Sequence, residues 1–281
     1  MFITGCEVPT RSTHLIGSDV TMLVMPAWQV GRYAGVKIVN VAPGNAARGL
    51  PGLFSTYVLH DATTGEPLAL IDGNVITSRR TAAASALAAS LLADPAARTH
   101  LVIGAGRVGR LLPEAYRCVL PIEEFLVWDV DSRAAGELAA TLRDAGHRAS
   151  VVANLAEAAR RADIVSCATL ATSPLVFGGC LSPGSHLDLI GSFAPDMREA
   201  SADCFAGANV WIDTPEALLK SGDLLEAVRE GAFSPADVRG TLTELCEPSV
   251  HRHAPGTRTV FKSVGTALED LAAAILVYEA A

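Results

Sequence analysis

The sequence predicts an α/β protein in which a doubly wound parallel sheet is inserted into a smaller α+β domain. Three observations predict it. From Thr99 onwards, short apolar runs alternate with helical stretches, the order that builds a parallel sheet with right-handed crossovers. The first of these runs, Leu101–Ile103, leads directly into Gly104-x-Gly106-x-x-Gly109. Roughly the first third of the chain precedes this turn and reads as sheet, while one strongly helical segment closes the chain. The boundaries that follow are 1–95 plus 259–281 for the smaller domain and 96–258 for the larger.

Taken in order, Val20–Met25 is a short apolar strand. Gly35–Val41, GVKIVNV, is rich in β-branched residues and runs into the turn Ala42-Pro43-Gly44-Asn45. Leu53–His60 and Pro67–Ile71 flank Asp61-Ala62-Thr63-Thr64-Gly65, a hairpin signal with a glycine available for positive φ. Thr77-Ser78 offers an N-cap pair for the alanine-rich helix Arg80–Ala93, which Asp94-Pro95 stops. That helix carries the chain into the larger domain. There the strands are Leu101–Ile103, Phe125–Trp128, Ser150–Val152, Ile164–Cys167, His186–Ile190 and Val210–Asp213, with helices Ala134–Ala145 and Leu155–Arg161 between them. Pro113, inside the helix expected after the glycine turn, removes a backbone donor and kinks or re-registers its first turns. Short helices follow at Leu224–Glu230, Pro235–Val238 and Leu242–Cys246. The terminal helix, Ala267–Tyr278, is expected to return to the smaller domain.

Half of the 281 residues are hydrophobic, enough to bury one or two cores. A net charge of −8 without any basic stripe argues against nucleic acid or an anionic membrane as partner. Cys6, Cys118, Cys167, Cys180, Cys204 and Cys246 form no C-x-x-C pair, so no zinc site or redox motif is expected. Met1–Val8 is too short for a secretory leader and lacks a cationic start, which predicts reduced thiols in a cytoplasmic protein. The uncharged run between Asp163 and Asp188 is broken by Pro174 and Pro183, so it reads as buried strand with loops. A membrane span would need about 20 consecutive apolar residues.

The glycine turn carries the first chemical expectation. Gly104 permits the tight turn after the strand, Gly106 lets backbone approach a pyrophosphate, and Gly109 permits close helix packing. Such a triplet alone is a weak signal and also occurs in plain loops. Here a strand precedes it, a helix follows, and the next strand ends on an acid, Asp129, 25 residues after Gly104. A carboxylate there accepts from the adenosine ribose hydroxyls and repels a 2′-phosphate, which favours NAD, while Arg133 nearby leaves room for NADP. Asp129 or Asp131 could instead cap the following helix, and Asp131 suits the cap better. Thr169, past the strand Ile164–Cys167, lies either near nicotinamide or in a surface turn.

Three cations in the front segment call for explanation in an acidic protein. Lys37 interrupts GVKIVNV, Arg80 follows the Thr77-Ser78 caps, and Arg11 lies in Val8-Pro9-Thr10-Arg11. Each taken singly reads as a solvated or snorkelling side chain. Together they could hold a carboxylate, since arginine grips one with two parallel hydrogen bonds.

The chain resembles the ornithine cyclodeaminase/mu-crystallin family. The matching text is GVKIVNVAPGN, PLALIDG, TSRRTAAASALAA, VIGAGRVG and TVFKSVGTALEDLAAA, in family order from about Cys6 to the C-terminus. Family members carry a further helical segment ahead of the position of Met1. The resemblance implies a Rossmann-type NAD(P)-binding domain, a substrate-binding domain that also builds a homodimer, and chemistry at a carbon bearing an amino or imino group. It places Arg11, Lys37 and Arg80 on substrate-carboxylate and active-site positions, with Lys37 and Arg80 catalytic. Arg107 and Val108 fall on the pyrophosphate turn with Gly104, Gly106 and Gly109, Asp129 on the ribose and Thr169 near nicotinamide. Ser263 and Val264 fall on the loop that closes over nicotinamide and substrate.

One departure from the family pattern is informative. Cyclodeaminases carry an aspartate two residues before the proline of the motif that reads IGSFAPDMRE here, and Phe193 holds that place before Pro195. Cyclodeamination needs a group that shuttles protons between amines. Phe193 with Met197-Arg198-Glu199 resembles instead the members that reduce ketimines, such as Δ1-pyrroline-2-carboxylate reductases. Taken by itself, Phe193 also reads as a plain core phenylalanine at a strand end, which is compatible with a reductase because an apolar wall helps exclude water from a hydride path. The expected activity is therefore NAD(P)H-dependent reduction of a cyclic imino acid. Two alternatives stand beside it: ornithine cyclodeamination with Asp196 replacing the missing acid, and a non-catalytic binding protein of mu-crystallin type.

Overall fold

A computed structural model describes residues 1–250 and 256–281. The chain divides into two compact units, Met1–Thr81 with Gly265–Ala281, and Ala82–Val264. The larger domain expected from sequence, 96–258, includes 251–255, which lie outside the described residues.

The first unit is a five-stranded antiparallel meander in the order β1 (Ser12–Leu15), β2 (Thr21–Trp28), β3 (Tyr33–Val41), β4 (Leu53–Asp61), β5 (Pro67–Asp72). β1 was not expected: its four residues, STHL, are all exposed and carry no apolar alternation, and pairing with β2 alone defines it. The register sets Met25, Lys37, Tyr57 and Ile71 side by side across β2 to β5. Met25, Ala27, Val39, Tyr57 and Leu59 form one core with Leu271, Ala274 and Ile275 of the terminal helix.

Helix α1 spans Gly73–Leu92, about two turns earlier than the expected start at Arg80. The cap is Asp72, the last residue of β5, whose Oδ1 accepts from the amides of Asn74 (2.7 Å) and Val75 (3.3 Å). Thr77 and Ser78 are therefore interior residues. Ser78 Oγ donates to the Asn74 carbonyl at 2.8 Å, the usual resort of a hydroxyl inside a helix.

The second unit holds the other elements: β6 (Thr99–Ile103), α2 (Leu112–Arg117), β7 (Glu124–Trp128), α3 (Ser132–Asp144), β8 (Arg148–Val151), α4 (Leu155–Arg161), β9 (Ile164–Cys167), β10 (Thr172–Val176), β11 (His186–Leu189), β12 (Arg198–Ala200), β13 (Asn209–Ile212), α5 (Ala217–Lys220), α6 (Gly222–Arg229), β14 (Val238–Thr241), α7 (Leu242–Leu245) and β15 (Thr259–Lys262). Among the described residues, eight strands form one parallel sheet in the order β14-β13-β15-β11-β9-β6-β7-β8, and β10 pairs with β12. β15 lies inside this sheet between β11 and β13, although the sequence boundaries had put Thr259 onwards with the smaller domain. Helix α8 (Ala267–Glu279) then returns to the first unit.

Both faces of the parallel sheet are buried, as crossover helices require. Leu101 and Ile103 enter one core with Ala158, Ala159, Leu224 and Ala227, while Val102 enters the other with Ala86, Ala89, Ala135 and Leu138. From β6 the chain winds one way through β7 and β8, then returns to β9 and winds the other way. The strand order therefore reverses between β6 and β9, and ligands of open α/β sheets bind beyond the carboxyl ends of such a pair. Pro113 has its effect at the start of a helix: a 3-10 turn at Gly109–Leu111 comes first, and α2 begins at Leu112 with Pro113 in its first turn, where no donor is needed. Among the described residues no helix is long and apolar enough to cross a membrane.

Candidate functional site

In the second unit, β6 delivers the chain to Gly104 with φ +100°, and a Cβ there would stand 2.5 Å from the Ala168 carbonyl oxygen beyond β9. This is the reversal point of the sheet. At Gly109 a Cβ would overlap the Gly104 carbonyl oxygen, so the turn folds back on itself. At Gly106 a Cβ would meet nothing within 4 Å, and the exposed Arg107 and half-buried Val108 continue the turn. Asp129, just past the end of β7, holds the turn from below: Oδ2 accepts from the Ala105 amide at 2.6 Å and Oδ1 from the Asp131 amide at 2.8 Å. Asp131 caps α3, accepting from the Arg133 amide at 2.9 Å. Arg110 braces the turn further, donating to the Ala105 carbonyl (2.9 Å) and to Glu137 of α3 (2.9 Å).

Thr169 is half-buried, its Oγ1 accepting from the Ala171 amide at 3.2 Å. Its amide (2.6 Å) and hydroxyl (2.8 Å) both donate to Oε1 of Glu199, and the Gly191 amide donates to Oε2 at 2.6 Å. Glu199 is fully buried, and burial pushes its carboxyl up to about 7 against the pull of Lys262. Lys262, also fully buried, donates to the Leu189 carbonyl at 3.0 Å. Past it, the Ser263 amide donates to the Leu189 carbonyl (3.1 Å) and the Val264 amide to Oδ2 of Asp213 (2.8 Å). Glu199 entered the sequence reading only within the Met197-Arg198-Glu199 motif, and Lys262 only within TVFK, neither as a site residue.

In the first unit, Lys37, Arg80 and Arg11 converge on the start of α8. Lys37 Nζ lies 2.6 Å from Oδ2 of Asp270 and donates to Thr77 Oγ1 at 3.3 Å. Arg80 donates through Nε to Oδ1 of Asp270 (2.9 Å) and through Nη1 to Oε2 of Glu269 (2.6 Å). Arg11 donates to the Gly265 carbonyl. Gly265 has φ +82°, and a Cβ there would come 2.5 Å from Arg80 Nη2. Burial pushes the Lys37 amine down to about 8; Asp270 pulls upward and Arg80 adds to the fall. The acids Glu269 and Asp270 were missed. Their signal was there: two adjacent acids opening an otherwise apolar helix.

Phe193 is 48% exposed, so it is not the core phenylalanine expected at a strand end. Gly191 and Ser192 are buried but have already left β11, and the chain reaches the surface at Phe193. Asp196 is exposed as well.

A fully parallel sheet with a glycine turn at its reversal point and an acid after the next strand is the architecture of the dinucleotide-binding α/β class. Residues 7–281 match the ornithine cyclodeaminase/mu-crystallin family, and the chain belongs to it. A Δ1-pyrroline-2-carboxylate reductase of Paracoccus denitrificans is 39% identical over 268 residues, covering 94% of this chain and 85% of that protein. Among solved structures, the Δ1-pyrroline-2-carboxylate reductase of Thermococcus litoralis, in complex with NADH and L-proline, superposes with a TM-score of 0.91 at 32% identity, covering 98% of this chain and 86% of the other. An archaeal alanine dehydrogenase dimer with bound NAD gives 0.90 at 32% identity, covering 98% and 85%.

Proposed function

We propose that the protein is an NAD(P)H-dependent reductase of cyclic imino acids, taking a ketimine carboxylate such as Δ1-pyrroline-2-carboxylate to the cyclic amino acid. The observation that carries the reading is the cluster of Arg11, Lys37 and Arg80 with Glu269 and Asp270, buried at Lys37 and the two acids and half-buried at the arginines. Arginines that can grip a carboxylate in two parallel hydrogen bonds, set beside a lysine that can carry a proton, suit a carboxylate whose reacting nitrogen lies close by. A dinucleotide suits the glycine turn because Gly106 leaves open space where a side chain would stand, and Asp129 lies beneath the turn for the ribose.

NADH, when bound, supplies the hydride that reduces the imine carbon. Arg80 and Arg11 bind the substrate carboxylate, Arg80 being oriented by Glu269 and Asp270. Lys37 Nζ holds the proton that the imine nitrogen takes up, and an amine at about 8 both carries and releases a proton near neutral pH. Within the second unit, Ser263, Val264 and Thr169 serve the nicotinamide end of the dinucleotide. The same reading includes a cytoplasmic homodimer formed through the first unit, where Leu15, Val30, Phe54 and Leu70 are exposed apolar residues.

The test follows NADH absorbance with Δ1-pyrroline-2-carboxylate, in parallel with ammonia release from ornithine. NADH loss without ammonia release is the expected result. Ammonia release would mean cyclodeamination, and bound NADH that no imino or keto acid oxidises would mean a binding protein.

A further inference from the structure

We propose that Glu199 is a positioning residue that sets the nicotinamide end of the dinucleotide site by clamping the segments after β9 and β11. The inference rests on the reading of this unit as an NAD(P)-binding domain.

The geometry is specific to a carboxylate. Three donors from two strand ends converge on it: the Thr169 amide and hydroxyl on Oε1, and the Gly191 amide on Oε2. A carboxylate is acceptor-only at both oxygens, whereas a glutamine would turn an NH2 group towards one of these donors. The two segments are also in direct contact, since a Cβ at Gly191 would overlap both the Thr169 carbonyl oxygen and Oε1 of Glu199. The clamp is itself anchored. Oδ1 of Asp223 accepts from the Glu199 amide (2.8 Å) and the Ala200 amide (3.1 Å), and the Asp223 amide donates to Ser192 Oγ at 3.0 Å. Ser192 Oγ donates in turn to the Met197 carbonyl at 2.6 Å. Burying a carboxylate beside a second acid is unfavourable, and here three donors and Lys262 offset part of that cost, burial still pushing the Glu199 carboxyl up. The glycine turn packs against the Ala168–Thr169 segment at Gly104 but has hydrogen bonds of its own, the Ala105 amide donating to Asp129 and the Gly104 amide donating to the Trp128 carbonyl at 2.8 Å. Loss of the clamp should therefore loosen the nicotinamide end and leave the adenosine and pyrophosphate end intact.

The experiment compares binding of NADH and of ADP-ribose, which lacks nicotinamide, by calorimetry with the parent protein, E199Q and T169V. Thr169→Val removes one donor, keeps the amide, and guards against an E199Q protein that does not fold. NADH affinity is expected to fall about tenfold in E199Q and about threefold in T169V, with ADP-ribose affinity unchanged in both. A merely structural role would weaken both ligands alike, and that result overturns the proposal. NADH binding at the parent level in both variants, or in T169V where E199Q does not fold, overturns it as well. A parent protein that binds no NADH overturns the cofactor reading and this inference together.

Discussion

Asp270 holds two cations at once, and replacing it with asparagine is a severe test of the buried cluster. Its side chain is fully buried, with Oδ2 2.6 Å from Lys37 Nζ and Oδ1 2.9 Å from Arg80 Nε. An asparagine side chain in its place would keep the shape and one acceptor but remove the negative charge that faces both Lys37 and Arg80. Removing one partner of a buried pair costs about 3–5 kcal/mol, and the retained hydrogen bond puts D270N near the lower figure. At roughly 2–4 °C per kcal/mol, a loss of about 3 kcal/mol lowers Tm by about 6–12 °C. The activity profile should move too. Burial already holds the Lys37 amine at about 8, below the ordinary 10.5, with Asp270 opposing the fall and Arg80 adding to it. Without Asp270 the amine drops further, so the basic limb of kcat/KM shifts from about 8 to lower pH. The sign for stability follows from proton binding. Between about 8 and 10.5 the unfolded chain holds the Lys37 proton more tightly than the folded one, so this group makes stability rise with pH across that window. In D270N the window opens at lower pH. Thermal melts and pH–rate profiles, both followed from acid through alkaline pH, measure the two effects. A second variant, K37M in the D270N background, should melt higher than D270N alone, because the uncompensated cation is gone. A D270N protein with its basic limb unmoved and Tm within about 1 °C of the parent would refute the reasoning.

Other perturbations discriminate among the site residues. G106A should melt like the parent, because a Cβ there meets nothing within 4 Å, yet bind NADH at least about tenfold more weakly, because the methyl takes space the phosphates need; parent-like NADH affinity would contradict that placement. G109A puts its methyl on the Gly104 carbonyl oxygen, and melts should fall by the equivalent of about 1–3 kcal/mol along with NADH binding. R80K keeps the charge but loses the fork that reaches Glu269 and Asp270, so KM for the imino acid should rise about tenfold with NADH affinity unchanged; an unchanged KM would remove Arg80 from the substrate site. D129N should raise the ratio of NADPH to NADH turnover, as the carboxylate that repels a 2′-phosphate becomes neutral, and a constant ratio would detach Asp129 from the ribose.

How much of this was legible in the sequence depends on how local each feature is. Six strands of the parallel sheet were, because most are short runs of apolar residues that need no partner to be recognised, whereas β14 and β15 were not expected as strands of this sheet. Ile164–Cys167 and Leu155–Arg161 stand where they were expected. The start of α1 was not legible. Asp72 looked like the end of a strand, and only the turn after β5 brings its carboxylate to the amides of Asn74 and Val75. β1 escaped because its polar residues are ordered by pairing with β2 and by no core contact of their own. Glu199 carries no periodic signal at all: its partners, Thr169 and Gly191, meet it only because β9 and β11 are neighbours in the sheet.

Lys262 is the instructive miss, because its signal had been used elsewhere. A lysine within an apolar strand singled out Lys37 in GVKIVNV, and TVFK ends with the same pattern. Both lysines prove fully buried, and both stand near acids: Asp270 and Glu269 for Lys37, and Asp188, Glu199 and Asp223 for Lys262. The two clusters nevertheless serve different ends, and the hydrogen bonds say which. Around Lys262, Glu199 and Asp223 accept backbone amides, from Thr169, Gly191, Glu199 and Ala200, and Asp188 accepts the Ser85 and Tyr116 hydroxyls, so their charge is committed to holding chain segments and neighbouring side chains in place. Around Lys37 the acids face side-chain cations. An amine held by one carboxylate and one hydroxyl keeps a proton it can release, whereas acids that hold amides define a shape. A buried charge in an apolar strand thus marks a site, and the partner's kind decides between chemistry and scaffold. On that criterion, exchanging Lys262 for methionine should loosen dinucleotide binding and stability together, while K37M should abolish turnover and leave NADH affinity at the parent level.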